Sequence, residues 1–394
     1  MEYIPQSIKL GGTYQVMDRI STLPQGIIEK ILTLMPLQDA VKTSILSRKW
    51  RYCWTSMPKL TFTVLNLSSD SKEVNKHKLL KDIFHVFILH TGPLLEFCIY
   101  INNTEIANEI DPIILHLSRT KNIKKFKFVK ILNDCYKLPL SFFSLQGLEH
   151  LDLTGCVVNP PLIFNGFSML RSLCFSSCII TVEVLLQFLT HCPLLEEFTL
   201  VLYDVTHYIE LQQCTFVELF KCLSSVQVLK LSRFCIEDFD ADGSCMPHKL
   251  PTPLVYLRVL VLDVCFLQED EIYCLLCLIN SSPNLEKINL EMCWDHDECG
   301  EQNFNKLFDL EDHLDLKLDH LKELEITSFY NVGYEMEFVK LIMAKSPVLK
   351  LARIKLNPNV SVDEEIKMFQ DLVRLPFPRA SPTANFIIER MPFN

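Results

Sequence analysis

The sequence has few glycines and none of the short motifs that mark the common enzyme classes. Only ten of its 394 residues are glycine. The dinucleotide fingerprint GxGxxG, the phosphate-binding P-loop and the nucleophile motif GxSxG are all absent. The eleven histidines are scattered, and no nucleophile stands beside a base in a recognisable pattern. We therefore expect a protein that is not an enzyme and that needs no cofactor.

The sequence also lacks long apolar segments and a signal peptide. No apolar run approaches the roughly 18–20 residues of a membrane helix, and residues 1–20 have no apolar core of the signal-peptide kind. Hydrophobic residues make up 49% and charged residues 22%, a composition typical of globular proteins. We expect a protein of the nucleus or cytoplasm that is not secreted. Its sixteen cysteines are then thiols rather than disulfides.

The charge is unevenly distributed along the chain. The net charge is −10, yet residues 1–60 hold eight Lys or Arg and only four Asp or Glu. The rest of the chain therefore holds 30 Lys or Arg and 44 Asp or Glu, a net charge of −14. Because binding to phosphate backbones needs a positive field, this distribution argues against nucleic acid as the main partner. The basic start suits an acidic protein instead.

A repeated leucine frame dominates the rest of the chain. Four segments share the frame LxxLxLxxC with conservative replacements: 148–156, 170–178, 257–265 and 285–293. Looser copies begin at Leu95, Ile123, Leu195, Val226, Leu321 and Leu349. Ten frames in order, 22 to 36 residues apart, make the leucine-rich repeat pattern. Cys156, Cys178, Cys265 and Cys293 take the same position in it, where a small side chain packs under the turn.

Helical segments alternate with these frames. Residues 182–193, 269–283 and 336–347 have helical spacing, and each precedes or ends at a proline just before the next frame. The LxL alternation places both apolar residues on one face of a short strand. One strand and one helix cannot close a core, whereas stacked units can. We expect an α/β fold in which a curved solenoid carries a parallel sheet on its concave side.

Residues 18–58 differ in kind from the repeats. Apolar residues at 27, 28, 31, 32 and 35 predict one helix, opened by Pro24 and stopped by Pro36. A second stripe includes Leu37 and Val41, and a third consists of Trp50, Trp54 and Met57. Three such short helices are apolar over more surface than they can bury among themselves. The module should therefore pack against a neighbouring domain or a partner.

The segment "DRISTLPQGIIEKILTLMPLQDAVKTSILSRKWRYCWTSMPKLTF" closely resembles a plant F-box. The segments "LKELEITSFYNVGYEMEFVKLIMAKSPVLKLARIKL" and "FPRASPTANF" resemble the FBD module. Together with the repeats, they make the chain similar to plant F-box/FBD/LRR-repeat proteins over nearly its whole length. The resemblance divides the chain into an F-box (18–60), leucine-rich repeats (61–316) and an FBD-like module that continues the solenoid (317–394). One departure is that Gln25 and Gly26 follow "LP", where acidic residues are common.

The resemblance implies a function without catalytic residues or a metal. F-box proteins bind a Skp-family adaptor, which joins them to cullin and RING subunits of an SCF ubiquitin ligase, and they hold a protein substrate for the E2. Carried over by position, the expected adaptor-binding residues are Leu23, Pro24, Ile28, Ile31, Leu32, Leu37, Val41, Leu46, Trp50 and Trp54. About half of these residues could instead pack the module's own core. A non-proteolytic scaffold and a small-ligand-dependent receptor remain alternative functions with the same F-box.

Two sets of residues are candidate substrate contacts. Polar residues dominate the concave positions of the frames, but Val228, Val259 and Val261 interrupt them, beside Lys230. An exposed apolar patch can mark a binding site, and a covering loop would explain it equally well. Acidic segments follow three consecutive strands and predict an acidic rim, represented by Glu237, Asp238, Asp297 and Glu298; an ordinary soluble edge is the alternative.

The segment "CWDHDEC" offers Cys293, His296, Asp297 and Cys299 as zinc ligands. No second Cys pair accompanies it at zinc-ribbon spacing, so we expect no metal there.

Overall fold

The leucine frames of the sequence become neighbouring strands of one parallel sheet. The computed structural model describes residues 20, 22–64, 72–101, 108–120, 122–131, 135–202, 216–233, 235, 247–292, 316–330, 334–374 and 380–391. Within them lies a twelve-stranded sheet whose strands pair in parallel and follow one another in chain order. Its strands are β1 (Lys59–Val64), β2 (Glu96–Ile101), β3 (Lys125–Lys130), β5 (His150–Thr154), β7 (Ser172–Ser176), β8 (Glu197–Val201), β9 (Val228–Leu231), β10 (Val259–Val264), β11 (Lys287–Met292), β12 (Glu323–Phe329), β13 (Leu351–Leu356) and β14 (Asn385–Arg390). The short strands β4 (Tyr136–Lys137) and β6 (Cys156–Val157) form a separate pair.

Each of the ten frames begins one or two residues before a strand of the large sheet. The structure adds two strands that the frames do not predict, β1 at one edge and β14 at the other. Neither strand begins with a leucine frame. The predicted repeat architecture is thus confirmed, and the sheet is longer than the frames indicate.

Helices connect many of the strands. They are α1 (Gln25–Thr33), α2 (Leu37–Lys42), α3 (Lys72–Leu89), α4 (Asp111–Thr120), α5 (Val182–Thr190), α6 (Phe216–Cys222), α7 (Glu269–Asn280), α8 (Glu335–Lys345) and α9 (Val362–Arg374). Short 3-10 helices occupy Thr43–Ile45, Cys53–Ser56, Asn108–Ile110 and Leu140–Ser144. Helices α5, α7 and α8 confirm the helical segments predicted between frames, and each ends before the proline that follows.

The core lies on one side of the sheet. In β10, Leu260, Leu262 and Val264 are buried, whereas the alternate residues keep part of their surface in water. Phenylalanines line the core through several repeats, with successive ring centroids 5.2 to 6.0 Å apart; the rings are those of Phe97, Phe126, Phe142, Phe167 and Phe188. Aromatic pairs at such distances add stability beyond the area that they bury. We call the other side, formed by the alternate residues, the open sheet face.

The cysteines of the repeat frame pack as expected where the structure describes them. Cys156, Cys178 and Cys265 are buried, and the Cys178 thiol donates to the carbonyl oxygen of Leu153 at 3.2 Å. Burial raises the pKa of the Cys156 thiol, which keeps it protonated and unreactive. The fourth frame cysteine, Cys293, lies outside the described residues.

The N-terminal module is joined closely to the first strands. The backbone N–H of Thr91 donates to the carbonyl of Thr55 at 2.9 Å, and the N–H of Leu95 donates to that of Pro58 at 2.8 Å. A Cβ added at Gly92 would lie 2.7 Å from the backbone of Ser56. The module therefore packs on its neighbouring repeat, as its excess of apolar surface predicted.

Candidate functional site

Five of the ten predicted adaptor-binding side chains belong to the core of the N-terminal module. These are Ile28, Leu32, Leu37, Trp50 and Trp54, all of them buried. The Trp50 indole N–H also donates to the carbonyl of Ile20 at 3.2 Å, which fixes the ring across the module. These side chains form the interior of the module, where α1, α2 and the 3-10 helix Cys53–Ser56 pack together. Their burial supports the alternative that they pack the module's own core, and their role as adaptor contacts stays a prediction.

The third helical segment also differs from the regular ridge that the spacing suggests. Trp50 lies in a turn, and Trp54 lies in the 3-10 helix Cys53–Ser56. A 3-10 helix has a tighter rise and a different side-chain direction from an α-helix. The two rings therefore point inward rather than forming an exposed edge. Burying side chains of this size contributes strongly to stability.

The other five predicted residues keep exposed surface. Leu23, Ile31 and Val41 are half-buried, and Pro24 and Leu46 are exposed. The structure adds apolar side chains that the sequence reasoning did not select, with Leu34 and Ile45 each 88% exposed; the others are Ile20, Ile27 and Tyr52. Six exposed large apolar side chains thus occur between residues 20 and 52 of the module. We call Ile20, Ile27, Leu34, Ile45, Leu46 and Tyr52 the apolar docking set.

Basic side chains accompany the apolar docking set. Lys30, Lys42, Arg48, Lys49 and Arg51 are exposed on the same module. Lys42 is paired with Asp39 at 2.8 Å, and Lys49 donates to the carbonyl of Leu23. Helix α1 begins at Gln25 and has no acidic residue in its first turn. The Gln25 side chain donates a hydrogen bond to Glu29 at 3.0 Å, one turn further along the helix. The surface is apolar and basic, which suits an acidic partner.

The open sheet face forms rows of residues that are neighbours across the strands. In the register of the sheet, Val228 pairs with Val259 and Lys230 pairs with Val261. The three valines keep part of their surface exposed, and Lys230 is exposed. The structure therefore brings together the four residues that were candidate substrate contacts on this face.

Two carboxyl groups extend the valine patch. Asp263 follows Val261 on the same face of β10, and its register partner on β11 is Glu291. Partial burial and, after it, the facing carboxylate of Glu291 raise the pKa of Asp263 to about 6, against the smaller opposing effect of Lys230. Neither carboxyl was singled out by the sequence. The sequence feature that could have identified them is their position. Asp263 comes two residues after Val261, and Glu291 takes the matching position in the next frame.

The predicted acidic rim is described only in part. Glu237, Asp238, Asp297 and Glu298 lie outside the described residues. Of the second of the three acidic segments, residues 269–271, Glu269 and Asp270 are exposed. Glu271 is buried, accepts from Arg233 Nε at 3.1 Å and accepts from the Cys265 backbone N–H at 2.6 Å. Glu271 therefore holds β10 and α7 together and does not contribute to an exposed acidic rim.

The described residues contain no group of three or more His, Cys, Asp or Glu placed to hold a metal ion. The candidate zinc ligands Cys293, His296, Asp297 and Cys299 lie outside them. Cys274 and Cys277 are buried in α7, and burial raises the pKa of Cys277 to about 11. Across the same described part of the chain, no helix combines the length and hydropathy that crossing a membrane requires.

Comparison with known proteins agrees with this architecture. The F-box domain family matches residues 20–62. An F-box/FBD/LRR-repeat protein of Arabidopsis thaliana is 30% identical over an alignment that covers 94% of this chain and 98% of the relative. A putative F-box/LRR-repeat protein of the same plant is 23% identical, with 86% of this chain and 65% of the relative covered. Because the first alignment spans nearly the whole of both chains, this chain belongs to the F-box/FBD/LRR-repeat protein family.

Proposed function

We propose that this chain is the substrate-recognition subunit of an SCF-type E3 ubiquitin ligase. Its F-box binds a Skp-family adaptor, and its open sheet face binds a protein substrate in the nucleus or cytoplasm. Ubiquitin transfer is then performed by the partner E2 and RING subunits. The observation that carries the proposal is the F-box match over residues 20–62, on a module that exposes an apolar and basic surface.

The apolar docking set supplies the adaptor contact in this proposal. Leu34 and Ile45 are its most exposed members, and each would bury most of its side chain on binding. Full burial of such a side chain contributes roughly 1.5–3 kcal/mol. Pro24 and Leu46, among the original candidates, extend the surface, and Leu23, Ile31 and Val41 contribute their exposed edges.

The exposed bases determine how the adaptor approaches. A positive module meets an acidic partner faster, because charge steers the encounter more than it adds affinity. Arg48 and Arg51 flank the buried Trp50, so the same segment supplies a rigid interior and a charged exterior. Association should therefore slow as salt rises, while dissociation changes little.

The test is copurification of the full-length chain with a Skp-family adaptor. The double variant Leu34→Asp, Ile45→Asp should lose adaptor binding, because it places two charges in an apolar contact. Its thermal unfolding should match that of the wild type, because both side chains are already in water. Leu162→Asp is the matched control: Leu162 is fully exposed on the repeats, and its replacement should leave binding unchanged.

Retained binding by the Leu34→Asp, Ile45→Asp variant would contradict this contact surface. No adaptor binding by the wild-type chain would contradict the proposed function as a whole. Ubiquitination of a bound protein by the reconstituted complex then separates a ligase receptor from a non-proteolytic scaffold.

A further inference from the structure

Most of the charged side chains on the open sheet face are paired across neighbouring strands. Lys127 lies 2.5 Å from Asp152, Lys287 lies 3.0 Å from Glu323, and Lys355 lies 2.7 Å from Glu325. Longer pairs, at 3.5 to 3.7 Å, join the remaining partners; they are Lys59–Glu96, Lys125–Glu96 and Arg353–Glu389. The face thus satisfies its own charges at both ends of the sheet.

The centre of the face breaks this rule. Asp263 and Glu291 are register partners of like charge on adjacent strands. Among the described residues, neither carboxyl group has an ion pair or a side-chain hydrogen bond. Like charges directly opposite one another destabilise a sheet. A lysine at either position would remove this cost. Because the two acids lower stability where they stand, they are candidates for a binding role.

The unpaired acids lie beside the partly exposed valines. Val261 precedes Asp263 by two residues on the same face, which places their side chains about 7 Å apart along the strand. Val259 and its partner Val228 continue the apolar surface, and the exposed Glu197 is the register partner of Val228 on the other side. Two bases lie among these described neighbours, Lys230 on β9 and Lys287, the register partner of Val259 on β11. Lys287 is already paired with Glu323 at 3.0 Å, which leaves Lys230 against the three acids Glu197, Asp263 and Glu291. We call the three valines, Lys230 and these three acids the valine–acid strip.

We propose that the valine–acid strip binds a segment of the protein substrate in which a large apolar side chain lies next to Lys or Arg. The inference rests on the proposed function and names the class of substrate for the same sheet face. The apolar side chain covers Val259 and Val261, and the neighbouring cation lies between Asp263 and Glu291.

The dimensions of an extended peptide agree with this arrangement. Neighbouring strands lie about 4.8 Å apart, and an extended chain rises about 3.3 Å per residue. A cation on the residue beside the apolar one can therefore cover the 7 Å to the carboxyl pair with its own side chain. Lys230 disfavours a second cation over Val261, so the basic residue has one preferred side.

The test is a degenerate nine-residue peptide library passed over the immobilised full-length chain. Retained peptides should be enriched several-fold in Leu, Ile, Val, Met or Phe directly beside Lys or Arg. Enrichment of acidic residues, or no preference for any residue, would overturn the proposal. The adaptor copurification described above is independent of this face, so it reports failure of the proposed function separately.

One retained peptide is then synthesised with a fluorescent label and its affinity measured by anisotropy. The double variant Asp263→Asn, Glu291→Gln should weaken binding about tenfold or more, because charge-assisted contacts are lost. Val261→Thr, which keeps the side-chain shape but replaces a methyl group with a hydroxyl, should weaken peptide binding by a smaller factor. Asp152→Asn, a change at a carboxylate already paired with Lys127, is the control and should leave the affinity unchanged. Equal affinity of wild type and double variant would refute the placement of the cation.

Discussion

Replacing Asp263 by Asn should stabilise the folded protein at neutral pH. The pKa of the Asp263 carboxyl is raised from 3.8 to about 6, chiefly by burial and then by Glu291. A raised pKa means that the folded state holds the proton more tightly than the unfolded state does. Ionisation of Asp263 therefore costs stability at every pH above 6, and the cost disappears as the pH falls from 6 toward 3.8.

The size of the effect follows from the shift in pKa. Two pKa units correspond to about 3 kcal/mol at 1.36 kcal/mol per unit. Because the carboxyl keeps part of its contact with water, screening reduces the expected gain to roughly 1 kcal/mol. For a repeat protein of this length, that gain should raise the midpoint of thermal unfolding by about 2 °C.

The assay is thermal unfolding of the wild type and Asp263→Asn at pH 7.5 and at pH 4.5. Glu325→Gln is the matched control on the same face, because the hydrogen bond from Lys355 lowers the pKa of Glu325. That lowered pKa gives the opposite sign, so the control should be slightly less stable than the wild type at pH 7.5. A variant Asp263→Asn that is no more stable at pH 7.5, or that gains as much at pH 4.5, would refute the reasoning.

Three further substitutions test the packing of the molecule by equilibrium denaturation. Trp54→Ala should destabilise the protein by about 3–5 kcal/mol, because it leaves a cavity beneath α1 and α2; an unchanged midpoint would contradict the burial of the ring. Glu271→Ala should cost about 3 kcal/mol or more by removing the buried carboxylate with which Arg233 is paired, and a loss below 1 kcal/mol would count against that pair. Gly92→Ala should cost about 1–3 kcal/mol through the 2.7 Å approach to Ser56. Its control, Gly26→Ala, adds a Cβ with nothing within 4 Å and should be neutral or stabilising; equal effects at the two glycines would refute the close contact.

The repeat architecture could be predicted because each frame encodes its own local structure. An LxL pair puts two apolar residues on one face of a strand, and the next proline ends the helix that follows. Residues such as Leu260 and Leu262 are therefore buried by their own pattern as soon as a neighbouring repeat exists. The valine patch was found in the same way, since it breaks a pattern that is otherwise polar.

The surface of the F-box could not be assigned from spacing alone. Helical spacing identifies an apolar stripe, but it does not say which residues of a crowded stripe the neighbouring chain covers. Trp50 is buried partly through Ile20, thirty residues away, and Trp54 through a 3-10 turn that the period of an α-helix does not describe. Leu34 follows the last residue of α1, and Ile45 ends the 3-10 helix Thr43–Ile45. Helical spacing alone does not predict that both side chains are exposed.

The contacts between the N-terminal module and the sheet bear on how a bound substrate would be held. The hydrogen bond between the ring of His90 and the carbonyl of Met57, at 2.8 Å, joins the end of α3 to the module. The backbone bonds from Thr91 to Thr55 and from Leu95 to Pro58 continue directly into the start of β2. Strand β1 follows the module directly and is itself the edge strand of the sheet. The bonds therefore allow little rotation of the module relative to the sheet. An adaptor on the apolar docking set and a peptide on the valine–acid strip would then be held by one continuous sheet. If the proposed function holds, the number of strands between the two surfaces sets the distance from the bound substrate to the adaptor.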